Sequence, residues 1–336
     1  MQDVADKAGV SRAAVSLALR NHPSLPIETR SRIQFLADQL GYRPNPLVSA
    51  LMTYQRTVKT VQPTGMTIAF VSKFSHREAW RSYLSPDLIS GAAESAERQG
   101  YHLDEFWMGD LGMTNERFWK MIYQRGIRGM IIAPLPSAHG HLSFNWPHFS
   151  AVAIGYTMVR PILHRVSTDR YQAMLLAVRH LRRLGYRRLG LALDINQNSR
   201  VDHQWAAAFQ WEQQRVAPSQ RTEIFLTKNG DWTAETFSKW YTKNRPEVIL
   251  GYDPIILQWL KLSGKRVPED LGFVHLWIPD QYGQYAGLYH APPAIGAAAV
   301  DFLIGLLQRN ECGIPNRPQT VLLNATWVDG ASLIQR

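Results

Sequence analysis

The stretch MQDVADKAGVSRAAVSLALRN, residues 1–21, decides how this chain is read. Val4, Ala5 and Ala8 fall at helical spacing on one face, and Gly9 supplies the left-handed backbone that ends a helix. Ser11 can cap a second helix, in which Val15 and Leu19 form an apolar stripe. Arg12, Ala13, Ser16, Leu17 and Arg20 lie on or beside the opposite face. Small Ala5 lets two helices cross closely at a short turn. The spacing predicts two short helices joined by a glycine turn, the geometry that places a second helix in the major groove of DNA. An ordinary helical hairpin at a domain edge shares this pattern.

The residues that follow separate the two. Residues 27–41, IETRSRIQFLADQLG, predict a third helix with Ile33, Leu36, Ala37 and Leu40 at i, i+3, i+4 and i+7, stopped by Gly41. In YRPNPLVSALM, Pro44 and Pro46 block a continuous helix, and Pro46 can open a new one at its first turn. The segments DVADKAGVS, Thr29-Arg30, LGYRPN at 40–45 and Leu51 resemble the headpiece and hinge helix of the lac repressor (LacI/GalR) family of bacterial transcription regulators. The resemblance extends more loosely over the rest of the chain. It implies an α/β protein with an N-terminal helix-turn-helix headpiece (1–45), a hinge helix and linker (46–65), and a two-lobed, periplasmic-binding-protein-like core of doubly wound parallel sheets (66–336).

The resemblance also implies roles. Ser11, Arg12, Ala13, Ser16 and Leu17 would meet base edges or their surroundings, with Arg12 and Ala13 at the positions that most affect operator choice. Asn21, Thr29 and Arg30 resemble phosphate contacts, which position without reading sequence. Val48 and Leu51 fall in the hinge, where Leu51 aligns with a leucine that wedges into the central operator step. A leucine packed in a small dimer core is the plainer role. Family members commonly carry Thr at Ala14 and Arg at Leu17, so a divergent operator is expected. The chain also starts directly at the first helix, without the few residues that usually precede it.

Composition agrees with a polyanionic partner. The 336 residues carry a formal charge of +10. Residues 1–60 hold eight Lys or Arg against four Asp or Glu, leaving six of the ten net charges beyond them. Charge alone would therefore also suit RNA or a membrane surface. A single cysteine, Cys312, excludes an intrachain disulfide framework. With no signal-peptide pattern and no run of eighteen apolar residues, the expected location is cytoplasmic and no membrane partner is expected.

Residues 55–65, QRTVKTVQPTG, read as a linker. Beyond them, short apolar runs at 66–72, 129–134, 187–193, 248–251 and 271–276 alternate with helical stretches near 86–99, 114–125, 170–184, 201–215, 233–243 and 254–263. That alternation predicts parallel sheets built from βαβ units. The expected lobes are about 66–160 plus 292–318, and about 161–291 plus 319–336.

Carried onto the core, the resemblance picks out Trp232, in GDWTA, as an aromatic plate for the apolar face of a sugar. Arg200, in NSRVDHQW, matches an arginine that donates to effector oxygens, although an extra residue before Trp205 shifts the register. Asp253, in LGYDPIILQWL, can either cap the following helix or touch the effector. Tyr156 and Trp277 stand where family members often carry ligand-binding acids, and Tyr252 adds a further ring. Asp280 is a candidate substitute acid, and Trp80 or Tyr83 are further aromatic candidates. Several of these rings would equally serve as core or interface residues. The expected effector is a small molecule, with a carbohydrate favoured by the resemblance.

An enzyme is the natural competitor. No GxSxG, Walker A, GxGxxG or HExxH pattern occurs. His139, His141 and His148 cluster in SAHGHLSFNWPH, but without a nearby Cys or spaced carboxylate they read as a solvated loop rather than a metal site. No cofactor is expected. The reading is a dimeric, allosteric DNA-binding regulator, with a repressor the expected type. Its alternative is a cytosolic small-molecule sensor whose headpiece contacts protein.

Overall fold

The computed structural model describes residues 2–19, 21–42, 66–74, 86–109, 113–227, 230–278 and 284–336. The hinge and linker, with Val48 and Leu51, lie outside the described residues, as do Arg20, Trp80, Tyr83 and Asp280.

Three helices form the N-terminal unit: α1 (Gln2–Ala8), α2 (Arg12–Leu19) and α3 (Ile27–Gln39). Gly9 ends α1 at φ 65°, a conformation that costs glycine little. Ser11 caps α2, its Oγ accepting the Ala14 N–H at 3.1 Å. Val4, Ala5, Ala8, Val15, Ala18, Ile33 and Ala37 make the buried core. The stripe on α2 is thus Val15 and Ala18, with Leu19 only half-buried, and Leu40 is exposed at 39%. Alanine is the residue that lets α2 and α3 approach.

The core contains two six-stranded sheets of like order. In the first, β1 (Met66–Ser72) lies between β2 (Tyr101–Trp107) and β3 (Gly129–Ile132), followed by β5 (Ser150–Ile154), β7 (His164–Thr168) and β13 (Thr320–Leu323), all parallel. In the second, β8 (Leu189–Asp194) lies between β9 (Phe225–Thr227) and β10 (Val248–Gly251), followed by β11 (Gly272–Ile278), β12 (Ala286–Tyr289) and the antiparallel β14 (Thr326–Val328). A small two-stranded piece pairs β4 (Gly140–His141) with β6 (Met158–Arg160). In both sheets the strand order reverses beside the first strand, leaving a crevice at the carboxyl ends where ligands of doubly wound sheets bind.

The chain passes between lobes three times. After β7 the helix Arg170–Arg183 packs with β8 and β10 in the second lobe, through Met174, Ala177, Val178 and Leu181. After β12 the helix Pro292–Arg309 returns to the first lobe. There it crosses the helix Pro86–Arg98 so closely that a Cβ at Gly296 would lie 2.0 Å from the Leu88 carbonyl oxygen. The third passage joins β13 to β14. Two strands expected in the second lobe therefore belong to the first: 164–168, beyond the expected boundary at 160, and 320–323, beyond that at 319. A strand's sheet is chosen by its pairing partner, which local patterning does not encode. The helix expected from 201 begins at Gln204, preceded by a short helix, Ile195–Ser199.

Candidate functional site

The headpiece presents Ser11, Arg12 and Ala13 exposed at the start of α2, with Ser16 and Leu17 half-buried one turn on. Asn21 takes φ 54° past the end of α2, where its carbonyl accepts from Arg30 Nη1 at 2.8 Å. Its side-chain Oδ1 accepts from Gln34 Nε2, also at 2.8 Å. Asn21 and Arg30 thus fasten the turn between α2 and α3, while Asn21 stays exposed and Thr29 and Arg30 half-buried at the surface. The expected base-facing edge and the expected phosphate-facing residues are held on one three-helix unit.

The second site lies at the carboxyl ends of the core strands. Tyr156 follows β5, Tyr252 follows β10, Trp277 ends β11 and His290 follows β12. Trp277 stacks on His290 with centroids 4.3 Å apart, and it also packs against the apolar core of the first lobe. Arg200, at the end of Ile195–Ser199, reaches across to the first lobe. Its Nη1 donates to the carbonyl of Leu135 at 2.9 Å and to that of Pro136. The sequence read this arginine as an effector contact; here it latches the lobes together through backbone oxygens.

Two other arginines were not anticipated. Arg165, on β7, lies with its guanidinium 4.6 Å from the Tyr156 ring centroid and donates to the carbonyls of Gly155 and Met158. Arg170, the first residue of the crossover helix, is buried and donates through Nη1 to Ser167 Oγ at 3.0 Å. Its guanidinium lies 6.0 Å from the Trp277 ring centroid, and its Nε has no partner. Burial holds Arg170 below the usual guanidinium value, and Tyr252 and Tyr156 pull the other way. Burial in turn raises the Tyr252 hydroxyl, against the opposing pull of Arg170 and Arg200.

Two histidines flank these groups. Burial brings His275 down to about 4, with nearby Asp253 acting in the opposite direction. Burial, then the charge of Arg170, bring His290 down to about 3. His290 Nε2 meets the Leu276 carbonyl at 2.9 Å, so that nitrogen carries the proton, and the buried Nδ1 is left without a partner.

Asp253 caps: its Oδ1 accepts the Ile255 N–H at 2.9 Å at the start of Ile255–Leu262. Trp232 stands apart from the arginine cluster. It is half-buried, stacks on Phe225 at 5.2 Å and meets Trp259 edge-on at 5.1 Å, within an aromatic core beside β9. Its Nε1 is buried without a partner. The structure thus groups Tyr156, Tyr252, Trp277 and Arg200 near the strand ends, and places Trp232 in a separate aromatic cluster. In the histidine-rich loop, His148 packs on Tyr123 at 4.7 Å and His141 bonds Ser143 Oγ at 2.9 Å.

A three-helix headpiece joined to a two-lobed core with a cleft at its strand ends defines a DNA-binding protein with a periplasmic-binding-like sensor. Comparison with known proteins agrees. The family model for bacterial regulatory proteins of the lacI family matches residues 1–45, and that for the periplasmic binding protein-like domain matches 178–333. The regulator PtxS of Pseudomonas plecoglossicida is 25% identical over 323 residues, 93% of this chain and 90% of that protein. MalR of Streptomyces coelicolor is 26% identical over 201 residues, so this chain spans about half (53%) of its length. In fold, the lac repressor dimer bound to operator and the anti-inducer ONPF aligns over 98% of this chain and 97% of that one, at TM-score 0.54 and 18% identity. Residues 1–45 thus match the headpiece of the lacI family of bacterial regulatory proteins, and the chain as a whole is similar to transcriptional regulators of that family rather than to enzymes. Among the described residues no helix is long and apolar enough to cross a membrane.

Proposed function

We propose that this chain is a sequence-specific DNA-binding transcriptional regulator, a cytoplasmic repressor that acts as a homodimer on a pseudopalindromic operator under control of a small-molecule effector. The observation that carries this is the self-contained headpiece with Ser11, Arg12 and Ala13 exposed at the start of its second helix. Arg12 is long enough to bond the O6 and N7 of guanine, and Leu17 offers methyls to thymine. Asn21, Thr29 and Arg30 set the register on phosphates. Two-fold symmetry of the protein would match that of the operator.

In this reading the effector lies between the lobes, near Tyr156, Tyr252, Trp277 and Arg200, with Asp253 and Trp232 at the margins. An effector that prefers one arrangement of the lobes shifts operator affinity by its differential binding energy, and DNA shifts effector affinity equally. A salt titration on DNA selected from a random pool tests the DNA assignment. With about six phosphates neutralised per dimer, affinity should fall roughly a thousandfold between 50 and 200 mM salt. A headpiece built for protein contact would select no consensus and show no such slope. Trp232→Ala should weaken the effector response in the same assay without altering operator affinity in its absence. Lost stacking on Phe225 should also lower the melting temperature of the variant. An unchanged effector response removes Trp232 from the site.

A further inference from the structure

Among the described residues, no carboxylate balances the charge of Arg170, which is 7% exposed. Its bonds go to Ser167 Oγ and the Thr168 carbonyl, and its Nε has no partner among the described residues. Burying an unpaired guanidinium costs several kcal/mol, and this side chain cannot shed its proton to escape the cost. Helix stability does not account for it either. Arg170 is the first residue of Arg170–Arg183, where the macrodipole disfavours a cation and Asp169 already caps the helix. Two further buried polar atoms close by are unpartnered, Thr168 Oγ1 and His290 Nδ1. Arg165 and Arg200 add positive charge at the same strand ends, beside the rings of Tyr156 and Trp277.

We infer that the effector of this protein carries an anionic oxygen group, a carboxylate or a phosphate, which enters the interlobe cleft and is met by Arg170 with support from the Thr168 hydroxyl. Such a group would turn an uncompensated buried charge into a charge-assisted pair, the strongest kind of hydrogen bond available there. In this proposal the rings of Trp277 and Tyr252 would face an apolar or sugar-like body beside it. The inference rests on the reading of the cleft as the effector site.

The test uses the full-length protein and four probes: gluconate, glucuronate and glucose 6-phosphate against neutral glucose, by calorimetry and by thermal shift. Binding of at least one anionic probe in preference to glucose is expected, and the preferred probe tells carboxylate from phosphate. Arg170→Gln should weaken that probe roughly thirtyfold, as expected for loss of a hydrogen bond to a charged group. Arg170→Lys should retain the preference for anions. Because the glutamine variant also sheds an unpaired buried charge, its ligand-free melting temperature should equal or exceed that of the native protein. A merely structural Arg170 would give the reverse, a lower ligand-free melting temperature with unchanged probe affinity. Binding of glucose as tightly as any anion, or of no anionic probe at all, overturns the inference. If selected operator DNA is still bound in that case, the regulator assignment stands and only the effector class falls.

Discussion

Deleting residues 1–60 is expected to abolish specific DNA retention while leaving both sheets of the core folded. The headpiece core consists of residues between Val4 and Ala37, and the first strand of the core starts at Met66, so among the described residues the cut severs no buried cluster. Specific operator binding typically exceeds non-specific binding by about 10³ to 10⁷, and that whole factor should disappear. Six of the ten net positive charges lie beyond residue 60, so weak non-specific binding at low salt should persist in the truncated protein. The comparison must therefore be made near physiological salt with competitor DNA, by mobility shift, alongside a melting curve. A truncated protein that still retards the selected operator with native affinity sinks the assignment. Retained cooperative melting with lost binding is the expected pair of results.

The ease of that cut reflects how differently the two parts of the chain announce themselves. The headpiece was legible because its core is local: helical spacing, Gly9 and Ser11 each specify one turn of structure without distant partners. Even there, the buried partner of Val15 is Ala18 rather than the larger Leu19, because a close helix crossing selects for size over hydrophobicity. In the core, the apolar central strands were legible and the edges were not. β13 has only half-buried or exposed positions, and β7 begins with His164-Arg165, so neither reads as a strand of a parallel sheet.

The cleft divides in the same way. Tyr156, Tyr252, Trp277 and Arg200, named from the sequence as effector candidates, lie together near the strand ends, while Arg165, Arg170, His275 and His290 beside them were not named. A buried charge leaves no mark on hydrophobic periodicity, since its burial comes from three segments meeting at the crossovers. One local signal existed: a cation directly after the capping Asp169 opposes the helix dipole, and such a misfit at a strand-to-helix junction points to a task outside the helix.

Acid should unlock this same region. His275 and His290 titrate at about 4 and about 3 in the folded chain, both below the ordinary imidazole value of 6.5. Between those limits the unfolded chain binds the more protons, so stability is complete above pH 6.5 and declines as pH falls through 6.5 toward 3. By pH 4 each imidazole should have cost on the order of 3 kcal/mol, together a large share of a typical folding free energy. The structural reason is specific. His290 would have to take a proton on a buried nitrogen beside the charge of Arg170, and His275 Nδ1 would lose the Trp277 N–H it now accepts at 3.1 Å. Melting temperatures at pH 7.5, 5.5 and 4.5 should therefore fall steeply in the native protein. They should fall much less in His275→Asn/His290→Gln, in which neither position can protonate. Exposed carboxylates contribute equally to both proteins and cancel in the comparison. Equal slopes in the two proteins would mean that these histidines reach solvent on protonation and that the crossovers open without global unfolding.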